Sequence, residues 1–199
     1  MIENLSPVTH HLSPVFMTLL VLYGSPAVGK LTIAKHIAAH TGFKIFHNHV
    51  SIDVATQFFA WGTPSYKAIT YGMRKLILEE AAKANLNLIF TVVYAYPVDN
   101  EDMGWMTRTI EEYGGEVKFV QLVASKERLL ERIDASSRKS YGKITDGALL
   151  QSILTQYDVF TPYPEREGLR FDTSTKEAED IAEEIIARLE LTRLEPKSS

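Results

Sequence analysis

Gly24-Ser25-Pro26-Ala27-Val28-Gly29-Lys30-Leu31-Thr32 is the stretch on which the reading of this chain turns. It follows an apolar run, Val15-Phe16-Met17-Thr18-Leu19-Leu20-Val21-Leu22-Tyr23, and precedes a helical pattern, Ile33-Ala34-Lys35-His36-Ile37-Ala38. A buried strand, a loop bounded by glycines and closed by Gly-Lys, then a helix is the setting of a phosphate-binding loop. Gly24 lets the chain leave the strand in a tight turn. The backbone N–H groups that follow curl around a phosphate, and the helix N-terminus adds its partial positive charge. Lys30 brings a point charge to the terminal phosphates. The whole loop, including Ser25, Pro26, Ala27, Val28 and Gly29, is therefore expected to hold a nucleotide.

One position departs from the usual pattern. A Ser or Thr normally follows the Lys, and its hydroxyl ligates Mg²⁺. Here that residue is Leu31, and Thr32 stands one place later, about 100° further round the helix. The shift does not restore the same metal contact. Magnesium tolerates a site made mainly of phosphate oxygens and waters, because it dehydrates reluctantly. The competing reading is weaker metal binding with slow or absent catalysis.

The bulk composition narrows the classes. A chain of 199 residues, 45% hydrophobic and 23% charged, has the size and balance of one globular domain with a full core. With no cysteine there is no disulfide framework and no thiolate chemistry. A formal charge of −4 lacks the basic footprint of a nucleic-acid binder. No apolar run is long enough to span a membrane, and residues 1–14 lack a signal-like pattern, so a cytoplasmic location is the expectation. The expected domain covers residues 15–192. Residues 1–14 form an extension whose order the sequence leaves open, and 193–199 a flexible tail.

Strands and helices alternate along the chain, which argues for βα units around a parallel sheet. Strands are expected over 16–23, 43–47, 86–93, 117–123 and 169–172. Helices are expected over 29–41, 50–61, from Ser65 as cap through an apolar stripe of Ile69, Met73, Leu76, Ile77 and Ala81, then 101–113, 126–133, 146–160 and 175–191. A polar insert, Asp134 to Thr145, interrupts this order. Its Arg138 and Lys143, beside Arg128 and Arg132 of the preceding helix, suit a lid over phosphates or, equally, a solvated loop.

The sequence Gly-Lys-x-Thr, the Arg-bearing helix, the basic insert and a terminal strand ending Asp172-Thr173-Ser174 together resemble the nucleoside monophosphate and shikimate kinase branch of the P-loop proteins. The resemblance spans about residues 15–190 in layout, and the phosphate loop is its one highly specific motif. It implies an α/β three-layer sandwich with a five-stranded parallel sheet in order 2-3-1-4-5. It also implies ATP with Mg²⁺ over the loop, Thr32 on the α-phosphate, Arg132 and Arg138 on the phosphates, and Thr173-Ser174 against adenine. Arg74 resembles the acid-binding arginine of shikimate kinases. Two departures speak against shikimate itself. His47-Asn48-His49 replaces a pair of aspartates after the second strand, and Tyr94-Ala95-Tyr96-Pro97 replaces a Gly-rich turn after the third. What remains is a kinase acting on a polar or anionic small molecule, with a nucleotide-binding module or slow NTPase as the alternative.

Ligands of parallel α/β sheets bind beyond the C-terminal strand ends, where His47, Asn48 and His49 fall. A neutral His can take the proton of an acceptor hydroxyl, and Asp53, four residues after His49, can orient it. The competing reading is a buried structural histidine. Zinc is disfavoured because nothing nearby completes a ligand set. Tyr66, Tyr71, Tyr94, Tyr96, Trp61 and Trp105 are candidate pocket walls, and Arg74 and Arg108 candidate partners of an anionic group. The end of the third strand carries no Asp, so a usual second magnesium carboxylate is missing there, and Asp99 and Asp102 lie too far along the loop to supply it.

Overall fold

The computed structural model describes residues 16–133 and 147–195. Five strands, β1 (Thr18–Tyr23), β2 (Lys44–His47), β3 (Leu88–Val92), β4 (Glu116–Val123) and β5 (Gly168–Asp172), form one parallel sheet in the order β2-β3-β1-β4-β5. Between and after them come α1 (Lys30–Thr41), α2 (His49–Thr56), α3 (Pro64–Lys83), α4 (Asn100–Glu112), α5 (Lys126–Ile133), α6 (Gly147–Gln156) and α7 (Ala178–Arg188). The expected lid with Arg138 and Lys143, residues 1–14 and the end of the expected tail, 196–199, lie outside the described residues.

The unbroken apolar run of β1 follows from its central place. Successive strand side chains point to opposite faces, so a strand covered on both sides has no polar face to alternate with. Leu20 and Leu22 join Ile33 and Ile37 of α1, Leu129 of α5, Leu150 of α6 and Ile181 and Ile185 of α7 on one face. Leu19, Val21 and Tyr23 join Leu78 of α3 and Met103 and Ile110 of α4 on the other. Each such buried aliphatic side chain contributes about 1.5–3 kcal/mol relative to exposure. The result is a three-layer sandwich.

Gly42 ends α1 in the left-handed conformation (φ 75°) and donates its N–H to Ala38 O, as its position past the helix predicts. The expectation for α3 was wrong in two ways. Thr63, not Ser65, is its cap, and accepts from Tyr66 N with Pro64 in the first turn. Its buried face is Tyr66, Thr70, Arg74, Leu78, Ala81 and Ala82, whereas Ile69 and Leu76 are 39% and 59% exposed. The helix turns a polar stripe inward because part of that face lines a cleft, which a count of apolar residues does not see. Helix α2 also stops at Thr56, five residues short of expectation, and α7 is shorter at both ends.

Connections from β1 to β2 and from β3 to β4 leave the sheet in opposite directions. Such a reversal opens a crevice beyond the carboxyl ends of the strands.

Candidate active site

The crevice is a cleft of about 1620 Å³ that runs from the phosphate loop to α2, α3 and α4. Its first end is built on main chain. Gly24 has φ 140°, and a Cβ there would lie 2.1 Å from Leu122 O of β4. Glycine is thus required by close approach as well as by conformation. Gly29 (φ 99°) and Ala27 (φ 67°) are also left-handed, which curls the loop and turns its amides inward. Lys30 Nζ donates to Gly24 O at 2.9 Å and to Ser25 O at 2.7 Å, bridging the loop. Ser25 Oγ is buried and has no hydrogen-bond partner among the described residues. Leu31 and Thr32 line the cleft from the first turn of α1.

Behind the loop, Thr173 Oγ1 donates to Val28 O at 3.0 Å and accepts from Arg132 Nη1 at 2.9 Å. Arg132 Nη2 donates to Thr173 O. Ser174 Oγ accepts from Ser125 N at 3.1 Å. Residues 173–178 line the cleft beside Arg128 and Arg132, so the turn after β5 and the phosphate loop form one wall. Burial pulls the Arg132 guanidinium below its ordinary value, with Arg128 adding to the shift. In this arrangement Arg132 braces the loop against the turn and also lines the cleft.

The second end is built on side chains. Asn48 follows β2, and its N–H donates to Thr91 O at the end of β3. His47, Asn48, His49 and Asp53 all line the cleft. The rings of His47 and His49 lie 6.4 Å apart. His49 Nδ1 approaches Asp53 Oδ1 to 3.6 Å, one turn along α2. That is longer than a hydrogen bond, so the carboxylate stands beside the ring without a direct bond to Nδ1. Arg74 is 8% exposed. Its Nε donates to Ser51 Oγ at 3.1 Å, its Nη2 donates to Asn48 Oδ1, and the guanidinium lies 5.7 Å from the Tyr71 ring centre. Burial lowers its pKa. Tyr71 donates its hydroxyl to Asp102 Oδ2 at 2.8 Å. Burial, then Asp102, pushes the Tyr71 phenol up to about 12, so it stays a donor at neutral pH.

Two expected acceptor residues are elsewhere. Tyr94 is fully buried; it meets Tyr23 and Tyr163 edge-on and donates to Asn100 Oδ1 at 2.6 Å. Its place directly after β3 put it near the strand ends, but the side chain packs into the core. Arg108 is exposed on α4 and does not line the cleft. Asp99 and Asp102, discounted from sequence only as magnesium carboxylates, line the cleft, as do Thr70, Tyr71, Trp61, Tyr66 and Trp105. Their signal was present as Tyr66, Thr70 and Arg74 at four-residue spacing, a polar helical face. Burial raises the Asp99 pKa even though the carboxylate accepts from Ala95 N.

Several solved structures share this architecture. A putative kinase from Chloroflexus aurantiacus matches with TM-score 0.66 at 19% identity, over 89% of this chain and 100% of that one. A sugar kinase from Janibacter sp. HTCC2649 matches with TM-score 0.63 at 19% identity, over 88% and 96%. The chain has the P-loop kinase fold. The Mycobacterium tuberculosis APS kinase in complex with AMPPNP and APS also shares that fold, with TM-score 0.59 at 14% identity, over 88% and 98%. No protein-family model and no curated protein matches this chain.

At the first end, the left-handed turns of the loop, the Lys30 ammonium and the start of α1 fit the phosphates of a nucleotide. A Mg²⁺ site fits less directly. Leu31 offers no oxygen, and among the described residues no group of three His, Cys, Asp or Glu side chains could hold a metal. The donor set therefore suits a magnesium held mainly by phosphate oxygens and water.

Proposed function

We propose that this protein is an ATP-dependent phosphotransferase that moves the γ-phosphoryl group to a hydroxyl of a small polar acceptor. The observation that carries the reading is the continuity of the cleft: the phosphate loop and the His49–Asp53 pair line the same cavity. The kinase identities of the proteins sharing the fold support it. The bond from the γ-phosphorus to the β,γ-bridging oxygen breaks, a bond to the acceptor oxygen forms, and ADP leaves. His49 takes the hydroxyl proton, with Asp53 orienting the ring and stabilising its charge. Lys30 leaves the Gly24 and Ser25 carbonyls to meet the phosphates. Arg132 and Thr173 keep the adenine side and the phosphate loop in register. Mg²⁺, held mainly by phosphate oxygens and water when bound with the nucleotide, would supply charge neutralisation there. Positioning and electrostatics then carry most of the rate.

A second reading, a nucleotide-binding module without transfer, is favoured by Leu31 and by Val92 and Val93 at the end of β3, where no carboxylate stands. Calorimetry with ATP and a coupled ADP-release assay over a panel of small hydroxyl compounds separates the two. Acceptor-dependent ADP release supports the transferase. Tight ATP binding with none leaves the module.

A further inference from the structure

The acceptor end reverses the usual order of side chains with depth. Its buried charge is Arg74, which lines the cleft. Ser51 and Asn48 take two of the five guanidinium donors, so others remain for oxygen atoms of a ligand. The half-buried Asp99 and Asp102 lie close enough to act on its charge, which makes a polar floor of both signs. The mouth is apolar. Trp61 and Val98 are each 69% exposed, and Tyr71, Leu149 and Tyr157 are exposed as well. All five line the cleft. They come from the α2–α3 connection, α3, the β3–α4 connection, and α6 with the residue that follows it. Single exposed apolar side chains are ordinary, but several from separate stretches of chain meeting at one cleft mark a binding groove.

Trp61 is also held in place. Its ring lies 4.8 Å from that of Tyr66, centre to centre, and Tyr66 is buried in a cluster with Ile52 and Ala55 of α2. An indole braced on a packed ring loses little further freedom when a ligand covers it, and most of its surface is still open. The cleft has room for such a ligand. Its volume of about 1620 Å³ exceeds the roughly 300–1,000 Å³ of a site for one drug-sized molecule, so a second molecule of some size fits beside the nucleotide.

Resting on the phosphotransferase reading, we propose that the acceptor is amphipathic: a hydroxyl-bearing head lies towards Arg74 and His49, and an aromatic ring on the same molecule stacks on Trp61 at the mouth of the cleft. The head gives its hydroxyl proton to His49 and receives the phosphoryl group. The ring takes no part in making or breaking bonds; it sets which hydroxyl compound is held. Trp61 is thus a specificity-determining residue, with Val98 as a second apolar contact.

The test uses the whole protein with a non-hydrolysable ATP analogue, Mg²⁺ and two probes, phenyl β-D-glucoside and methyl β-D-glucoside. The two carry the same hydroxyls and differ in the ring. Calorimetry, with tryptophan fluorescence in the parent, reads binding without turnover. The phenyl compound is expected to bind about tenfold tighter, the scale of stacking on an aromatic side chain. The advantage should hold or grow as sodium sulfate is added, as an apolar contact does and an ionic one does not. W61A should bring the two probes within about twofold of each other and leave affinity for the ATP analogue unchanged, and V98S should reduce the ratio in part. Equal affinities in the parent, no saturable binding of either probe, or an undiminished ratio in W61A overturns the proposal. If W61A disturbs the fold, seen as lost affinity for the ATP analogue, V98S decides, and an undiminished ratio there overturns it. Affinity ratio and ADP release from ATP are separate readouts. Equal affinities with acceptor-dependent ADP release sink the ring preference and keep the transferase; a ring preference with no ADP release does the reverse.

Discussion

At the phosphate end of the cleft, hydrogen bonds run to main-chain carbonyls: Lys30 to Gly24 and Ser25, Arg132 to Thr173, Thr173 to Val28. At the acceptor end they run between side chains: Arg74 to Ser51 and Asn48, Tyr71 to Asp102. The first arrangement is set by where the backbone goes, and so by glycine spacing and strand closure. The second is set by which side chains three separate helices bring together. Main-chain sites suit a ligand whose phosphates never change. Side-chain sites can be rebuilt for new acceptors without disturbing the sheet, which is how one fold hosts many chemistries.

The division predicts that the two ends fail differently. The largest effect is expected for His49→Ala. Loss of a general base costs about 10²–10⁴-fold in transfer, while calorimetric ATP affinity stays within error of the parent. An ATP affinity that falls with the rate would join the two ends and break the comparison. Lys30→Ala acts at the other end. It should weaken ATP binding by about 1.5–3 kcal/mol, the usual cost of a hydrogen bond to a charged group, and leave acceptor-probe fluorescence titrations unchanged. An unchanged ATP isotherm would remove the phosphate-loop reading.

Arg74→Lys sharpens the contrast in stability rather than activity. A lysine cannot make the fork to Ser51 and Asn48, so buried polar groups lose their partner, at about 1–3 kcal/mol in urea unfolding. The same variant should bind ATP like the parent. The smallest effect is at Asp172, whose carboxylate is held below its ordinary value by hydrogen bonds from Ser174. A depressed folded pKa lends stability that is full above the unfolded pKa, near about 3.9 for Asp, and is lost as pH falls through the lower folded value. Thermal melts of D172N should therefore lose less stability than the parent below about pH 4, and parallel melts would show that the Ser174 contacts are worth nothing.

Residues near each other in sequence were the legible ones. Gly24 through Thr32 announced the phosphate loop because its strand, turn and helix are consecutive, and alternation of strands and helices then led to the sheet. The family resemblance supplied the strand order that the structure shows. Arg74 was picked out as a partner for an anionic group, and the structure places it in the cleft lining. Only the tertiary structure revealed that Asn48 and Ser51, 26 and 23 residues away, take two of its donors. Tyr94 looked like a pocket wall from its place after β3, but the strand period and the packing of Tyr23 and Tyr163 turn it into the core.

The sequence by itself determined the glycine-bounded loop after β1, because such a loop is a backbone conformation, and local residue types dictate backbone conformation. It also determined that His47, Asn48 and His49 would stand at the strand ends, since a parallel strand delivers its last residues there. Only the tertiary structure decided the acceptor end. Asp99 and Asp102 enter the cleft because α4 packs beside α3, and Thr70 and Arg74 face inward because α3 lines a cavity instead of burying its most apolar stripe. Side-chain neighbourhoods of that kind depend on helix rotation and packing across tens of residues, and no short stretch of sequence encodes them.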